Sequence, residues 1–252
     1  MRLSSLTEAF IGDTQSIEDV EDTHDEILLG YQKDFVKYAD ARDYPKISVI
    51  WQSIPSQLGK ENRKFIFSQV KKGWRAKDLE DALIWLINAG LVYKVECIEK
   101  PYYPISSYAN HSFFKLYMAD IGLLRRHADL PSSIVFDNTP LYKEFKGAMA
   151  ENYVACELKR MYGKTKSKDL YYWTAEGSAK AEVDFIVQDS EKHIIPVEVK
   201  SGTSKRARSL AEYRKKFNPE KSVLTSLDNI TERNLPLYAF WKFKEWVAGN
   251  EE

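Results

Sequence analysis

The sequence predicts an α/β protein of the α+β kind: a helical N-terminal part carrying a β-hairpin, then a mixed sheet flanked by helices. Three observations predict it. Apolar residues recur at helical spacing between positions 44 and 89, apolar and polar residues alternate in short runs from 91 onward, and a long helical pattern at 141–162 precedes three more strand-like runs. With 252 residues, 44% of them apolar and 13% aromatic, the chain holds ample material for a packed core, which excludes a disordered chain.

Taken in order, residues 1–43 form an acidic arm, with 11 carboxylates against 4 basic residues. Pro45 suits a first helical turn, and Ile47, Ile50, Trp51 and Ile54 make the apolar stripe of a helix ending near Pro55. Leu79, Ala82, Leu83, Leu86 and Ile87 make the stripe of the next helix, stopped at Gly90. Leu91–Ile98 alternates as a strand, and 99–104 supplies the turn of a hairpin. Helices followed by a hairpin describe a winged helix over residues 44–128. In one reading Arg75 and Lys77 start a helix that enters a DNA groove; in the other the helix only packs and the hairpin joins domains. Leu130–Pro140, with two prolines and several small polar residues, reads as a linker over 129–140. Beyond it, 141–252 holds a long helix, strands at Leu170–Thr174, Glu182–Val187 and His193–Val199, and a basic helix.

The 37 basic residues balance the 37 acidic ones, but they segregate. Residues 60–77 hold 7 basic against 1 acidic and residues 200–221 hold 8 against 2, so a polyanion such as DNA has local surfaces to meet. Lys205, Arg206, Arg208 and Arg214 are the expected phosphate contacts of the second stretch, with Leu210, Tyr213 and Phe217 turned to the sheet. Cys97 and Cys156 match no metal or redox spacing, and His24, His111, His127 and His193 are scattered. No apolar run reaches the length of a membrane span, so the expectation is a cytoplasmic protein without a membrane partner.

Chemistry is expected where two strands meet. The hairpin through Gln188–Lys192 sets Asp184 across from Glu198 within a residue or two, while Glu198 and Lys200 share a face. Two facing carboxylates call for a cation, and hard oxygen ligands suit Mg²⁺ or Mn²⁺. Glu151 lies on the stripe Ala148, Glu151, Ala155 and Leu158; it is buried against a metal or Lys200, or else it faces solvent with Asn152 or pairs internally without chemistry.

In that order, Glu151, Asp184 and Glu198-Val199-Lys200 resemble the PD-(D/E)xK nuclease superfamily in its archaeal Holliday-junction-resolvase-like form. More closely, Glu144-Phe145-Lys146-Gly147 through Val154, Tyr172-Trp173-Thr174, Glu182-Val183-Asp184-Phe185 and Pro196 through Gly202 are similar to a prokaryotic family that joins an AAA-type ATPase domain to a winged helix and a nuclease-like C-terminal domain. Lys115 through Leu124, and Asp81-Ala82-Leu83 through Tyr93, are similar to it too. The resemblance implies that 141–252 is a nuclease-like domain in which Asp184, Glu198, Glu151 and the Val199 carbonyl ligate the metal and Lys200 positions water or stabilises the phosphate. It also implies an AAA-type ATPase partner in cis or in trans. Gly59-Lys60 lacks the upstream glycine and the following Ser or Thr of a phosphate loop, so ATP is expected only through a missing or separate ATPase domain. A catalytically silent module that binds nucleic acid or protein is the alternative.

Overall fold

A computed structural model describes residues 16–60, 63–132, 140–162, 169–175, 181–189, 193–203 and 207–249. Among them are seven α-helices and seven strands, with helices gathered in the N-terminal part and most of the sheet in the C-terminal part. No helix among the described residues is long and apolar enough to cross a membrane.

Helix α1, Ile17–Tyr38, begins at Ser16, whose hydroxyl accepts from the Asp19 N–H while Asp19 accepts from the Ser16 N–H. Its buried residues His24, Ile27, Leu28 and Phe35 fall on one stripe. The flank of that stripe is held by charge: Glu21 and Asp25, one turn apart, meet Arg125 and Arg126 of α4, Ile121–His127. The Arg125 guanidinium lies 2.8 Å from Glu21, which also accepts from Ser132. The acidic stretch is therefore a docked helix rather than a freely solvated one.

Helix α2, Tyr44–Leu58, runs a turn past the end expected at Pro55. Proline removes the N–H that would bond the Trp51 carbonyl. That carbonyl accepts instead from His127 Nε2 at 3.0 Å, so the helix continues without an orphaned acceptor. Helix α3, Ala76–Asn88, buries Leu79, Ala82, Leu83 and Leu86 and stops where Gly90 takes φ of +72°, a conformation that disfavours any side chain.

Strands β1, Val92–Ile98, and β2, Ala109–Met118, make the expected hairpin, but its tip is longer than a turn and includes a short 3₁₀ segment at Ile105–Tyr108. Strand β2 is followed directly by α4. The long helix is α5, Pro140–Tyr162. Strands β3 (Leu170–Thr174), β4 (Glu182–Gln188) and β5 (Ile194–Val199) follow, then α6 (Arg208–Phe217), β6 (Val223–Ser226), β7 (Asn234–Pro236) and α7 (Phe243–Gly249).

All seven strands form one sheet in the order β2-β1-β3-β4-β5-β6-β7. Strand β1 pairs with β2 on one side and, in parallel, with β3 on the other, so the hairpin is part of the sheet that carries the C-terminal half. One core lies under α5, with Ala148, Val154, Ala155 and Leu158 against Tyr172, Phe185 and Val197. A smaller one gathers Trp173, Val183 and Ile186 under Tyr213 of α6, and Trp173 meets Tyr213 edge-on at 5.3 Å.

Candidate functional site

Strand β4 departs from simple alternation, and the departure shapes the site. Tyr171 pairs with Ile186 and Trp173 with Val183, so two residues of β4, Asp184 and Phe185, stand against Tyr172 alone. This bulge puts Val183 and Ile186 in the core under α6 and Phe185 and Val187 in the core under α5. A strict two-residue period would put Val183, Phe185 and Val187 on one face, and it fails at the inserted residue. Asp184 and Glu182 come instead within reach of Lys115 on β2.

Lys115 occupies the centre. Its side chain is 1% exposed, and its ammonium lies 2.6 Å from Glu182, 3.7 Å from Glu151 and 4.0 Å from Asp184, with the ring of Tyr172 beneath it at 5.1 Å. Burial opposes its charge, but Tyr117, Glu182 and Asp184 outweigh that and raise its pKa above the ordinary lysine value. The cluster thus contains a permanent cation supplied by the chain.

Glu151 is buried, as its stripe on α5 implied, with Ala148, Ala155 and Leu158 buried beside it. Its partners are not Lys200. One carboxylate oxygen takes the Arg63 guanidinium and the other accepts from the Tyr117 hydroxyl at 2.9 Å. Arg63 reaches it from a left-handed backbone, φ 47°, over Gly147, where a Cβ would collide with the guanidinium. Asn152 does not face solvent: its carboxamide brackets Met118 on β2, accepting from the backbone N–H at 2.8 Å and donating to the carbonyl at 3.0 Å.

Asp184, 8% exposed, accepts from the Val199 N–H at 2.8 Å, so the side chain extends the β4–β5 ladder where Phe185–Val197 is the last backbone pair. Glu198, 2% exposed, receives Lys200 on one oxygen at 2.5 Å, while the other is buried without a hydrogen-bond partner. Burial and the neighbouring Asp184 carboxylate push its pKa up to about 7, against the opposing pull of Lys200 and Lys115. Asp184, Glu198, Val199 and Lys200 thus meet as the sequence implied, whereas Glu151 joins them through Lys115.

Do these residues fit a divalent metal? Glu151 has both oxygens engaged, Asp184 has one oxygen on a backbone N–H and the other toward Lys115, and Glu198 alone keeps an unpartnered oxygen. Among the described residues no group of three or more His, Cys, Asp or Glu side chains is disposed to hold a metal ion. The donor set does not fit a shared metal, because Lys115 and Arg63 stand where its charge would be needed.

The basic residues divide. Arg75 and Lys77 are exposed at the start of α3, and Lys71 and Lys72 are exposed just before them. The remaining outward face of α3, however, carries Glu80, Asp81 and Ile84. Arg208 is exposed on α6, but Arg214 does not look outward; its guanidinium turns in to Ser222 at 2.6 Å. Lys205 and Arg206 lie outside the described residues.

The sequence reading missed Lys115, Arg63 and Tyr117, although two signals were present. Phe114 to Met118 is an unbroken apolar run but for Lys115, which marks a strand covered on both faces and hence a lysine needing partners. Gly147, one helical turn before Glu151, marks a close approach on that face.

The fold and this cluster define a mixed α+β protein whose buried carboxylates are neutralised from within. Residues 146–240 match a domain of unknown function, DUF4143, often found at the C-terminus of AAA-type ATPase proteins, and residues 11–133 match another domain of unknown function, DUF8612. No curated protein and no solved structure matches the chain.

Proposed function

We propose that the chain is a nuclease-like module that binds nucleic acid without cleaving it and works with an AAA-type ATPase. The observation that carries this reading is Lys115: a buried ammonium among Glu151, Glu182 and Asp184 supplies the charge that a catalytic Mg²⁺ or Mn²⁺ would supply. Removing the metal requirement removes the Lewis acid, so the carboxylates become a structural core of the sheet. Nucleic acid is then met at the surface, by the exposed Lys71, Lys72, Arg75 and Lys77 at and just before the start of α3. The association with an AAA-type ATPase is supported by the match to DUF4143.

The test is incubation of the full chain with linear, supercoiled and branched DNA and millimolar Mg²⁺ or Mn²⁺, in parallel with filter binding over a salt series. The expected result is intact DNA and salt-dependent retention that survives Asp184→Ala and weakens when Arg75 and Lys77 are both changed to Gln. Metal-dependent nicking lost in Asp184→Ala would overturn the silent reading. Retention indifferent to salt and to the double substitution would move the binding role to a protein partner.

One observation favours cleavage as a second reading. Glu198 keeps a buried, unpartnered oxygen, with Lys200 one third exposed at its other oxygen, so one carboxylate oxygen beside a lysine stays open to a cation. The same nicking assay decides between the two.

A further inference from the structure

A cleft of about 630 Å³ opens between α6 and the β6–β7 edge of the sheet. Leu210, Ala211 and Leu224 give the lining its apolar part, Asn229 and Thr231 a polar part, and three arginines, Arg208, Arg214 and Arg233, line it as well. That volume falls within the range of small-molecule sites, which are typically about 300–1,000 Å³ and mostly apolar with a few fixed polar groups.

The arginines are the informative feature. Among the described residues none of the three is in an ion pair. Burial and then the charge of Arg233, which lines the same cleft, depress the pKa of Arg214. Arg214 is fixed at the back by Ser222, which leaves its outer nitrogens for a ligand. The polar part of the lining is rigid. Buried Asn234 donates to the carbonyls of Asp228 and Asn229 and accepts from Ser226, and Thr231 accepts the N–H groups of Arg233 and Asn234. Asp228, which lines the cleft, is held by Ser226 through both its carboxylate and its backbone N–H. Cations that share a cleft with apolar residues and a loop fixed in shape describe a receptor for an anion with an organic body.

We propose that this cleft binds a phosphorylated small molecule of nucleotide size, its phosphate held by Arg208, Arg214 and Arg233 and its organic part on Leu210 and Leu224. Planar guanidiniums pair with phosphate oxygens two at a time, and a doubly charged phosphate offers enough acceptor oxygens for more than one arginine. None of these residues belongs to the Lys115 cluster, so the proposal stands whether or not the carboxylates cleave.

The experiment is calorimetric titration of the full chain with AMP, ATP, inorganic pyrophosphate and adenosine, with thermal unfolding alongside. Binding of a nucleotide, with at least tenfold weaker binding of adenosine, is the expected result. Arg233→Gln, at an exposed position, is expected to weaken nucleotide binding at least tenfold at unchanged Tm, and Arg208→Gln to do likewise. Arg214→Gln is the secondary variant, because its loss also releases Ser222. Absence of binding by every probe at millimolar concentration overturns the proposal, and so does binding indifferent to Arg233→Gln and Arg208→Gln. Single-stranded oligonucleotide that binds through these arginines while mononucleotides neither bind nor compete also overturns it, because the cleft would then belong to a strand.

Discussion

Replacing Lys115 by Met tests whether the chain's own cation holds the carboxylates together. Methionine conserves the length and apolar stem of lysine and removes only the ammonium. At an effective dielectric near 20, Glu182 at 2.6 Å attracts that ammonium by about 6 kcal/mol, and Glu151 and Asp184, at 3.7 and 4.0 Å, by about 4 kcal/mol each. These gross attractions are offset by the cost of burying the charges. The net effect is better judged from buried pairs that lose one partner, which costs about 3–5 kcal/mol. Glu151 keeps Arg63 and Tyr117 after the substitution, whereas Glu182 and Asp184 lose their nearest cation. For a chain of this size each kcal/mol moves Tm by about 2–4 °C, so the expected fall is about 6–20 °C. Thermal unfolding followed by far-UV circular dichroism measures it. The second arm adds Glu182→Gln to Lys115→Met, which removes the carboxylate nearest the lost ammonium and is expected to recover part of the fall. Millimolar Mg²⁺ is expected to leave wild type unchanged and to raise the Tm of Lys115→Met. A Lys115→Met protein that melts within about 2 °C of wild type would refute the reasoning, since a buried charge network cannot lose its centre at so small a cost.

Two pH effects follow from the same physics. The Glu198 pKa is raised from 4.5 to about 7, so its protonated form stabilises the folded state below pH 4.5 and that stability is lost as pH rises through 7. Glu198→Gln is therefore expected to gain on the order of 3 kcal/mol over wild type at about pH 8 and little at about pH 4.5; a gain independent of pH in urea unfolding would count against a buried, repelled carboxylate. Glu21 runs the other way. Ser132 and then Arg125 hold its pKa down to about 2, so its contribution is present above pH 4.5 and lost as pH falls toward 2. Glu21→Gln is expected to cost about 1 kcal/mol near neutrality after solvent screening, with the difference vanishing by about pH 2. An undiminished difference there would place the cause outside the ion pair.

Secondary structure was legible because it rests on local rules. The apolar stripes of α2, α3 and α5 and the alternation of β1 and β5 name those elements within a residue or two at most ends. The extra turn of α2 was not legible, because the acceptor freed by Pro55 is satisfied by His127, 76 positions away. The candidate site divides on the same line. Asp184, Glu198 and Lys200 lie on one hairpin, and a two-residue period brings them together. The inserted residue in β4 and the arrival of Lys115 depend on which strand lies beside which, and strand order is set by packing of the whole sheet. Charge counting by segment found the basic helix α6, but its helical face alone did not show that Arg214 turns inward to meet the β6–β7 edge.

The cluster also explains why the two matched regions occur as neighbours in one sheet. The region similar to DUF8612 contributes every cation and the phenol that Glu151 receives: Arg63, Lys115 and Tyr117. The region similar to DUF4143 contributes the carboxylates Glu151, Glu182, Asp184 and Glu198. Neither set is stable in a dry interior alone, because a buried charge without its opposite costs several kcal/mol. The parallel pairing of β1 with β3 brings the two sets together, and the Asn152 bracket on Met118 fixes the register of α5 on β2 so that Glu151 meets Tyr117. In a nuclease the metal can leave and return, so the carboxylates must tolerate its absence. Here the counter-charge is covalently part of β2, in the same sheet. An arrangement of that kind makes the counter-charge a fixed joint between the two halves of the sheet.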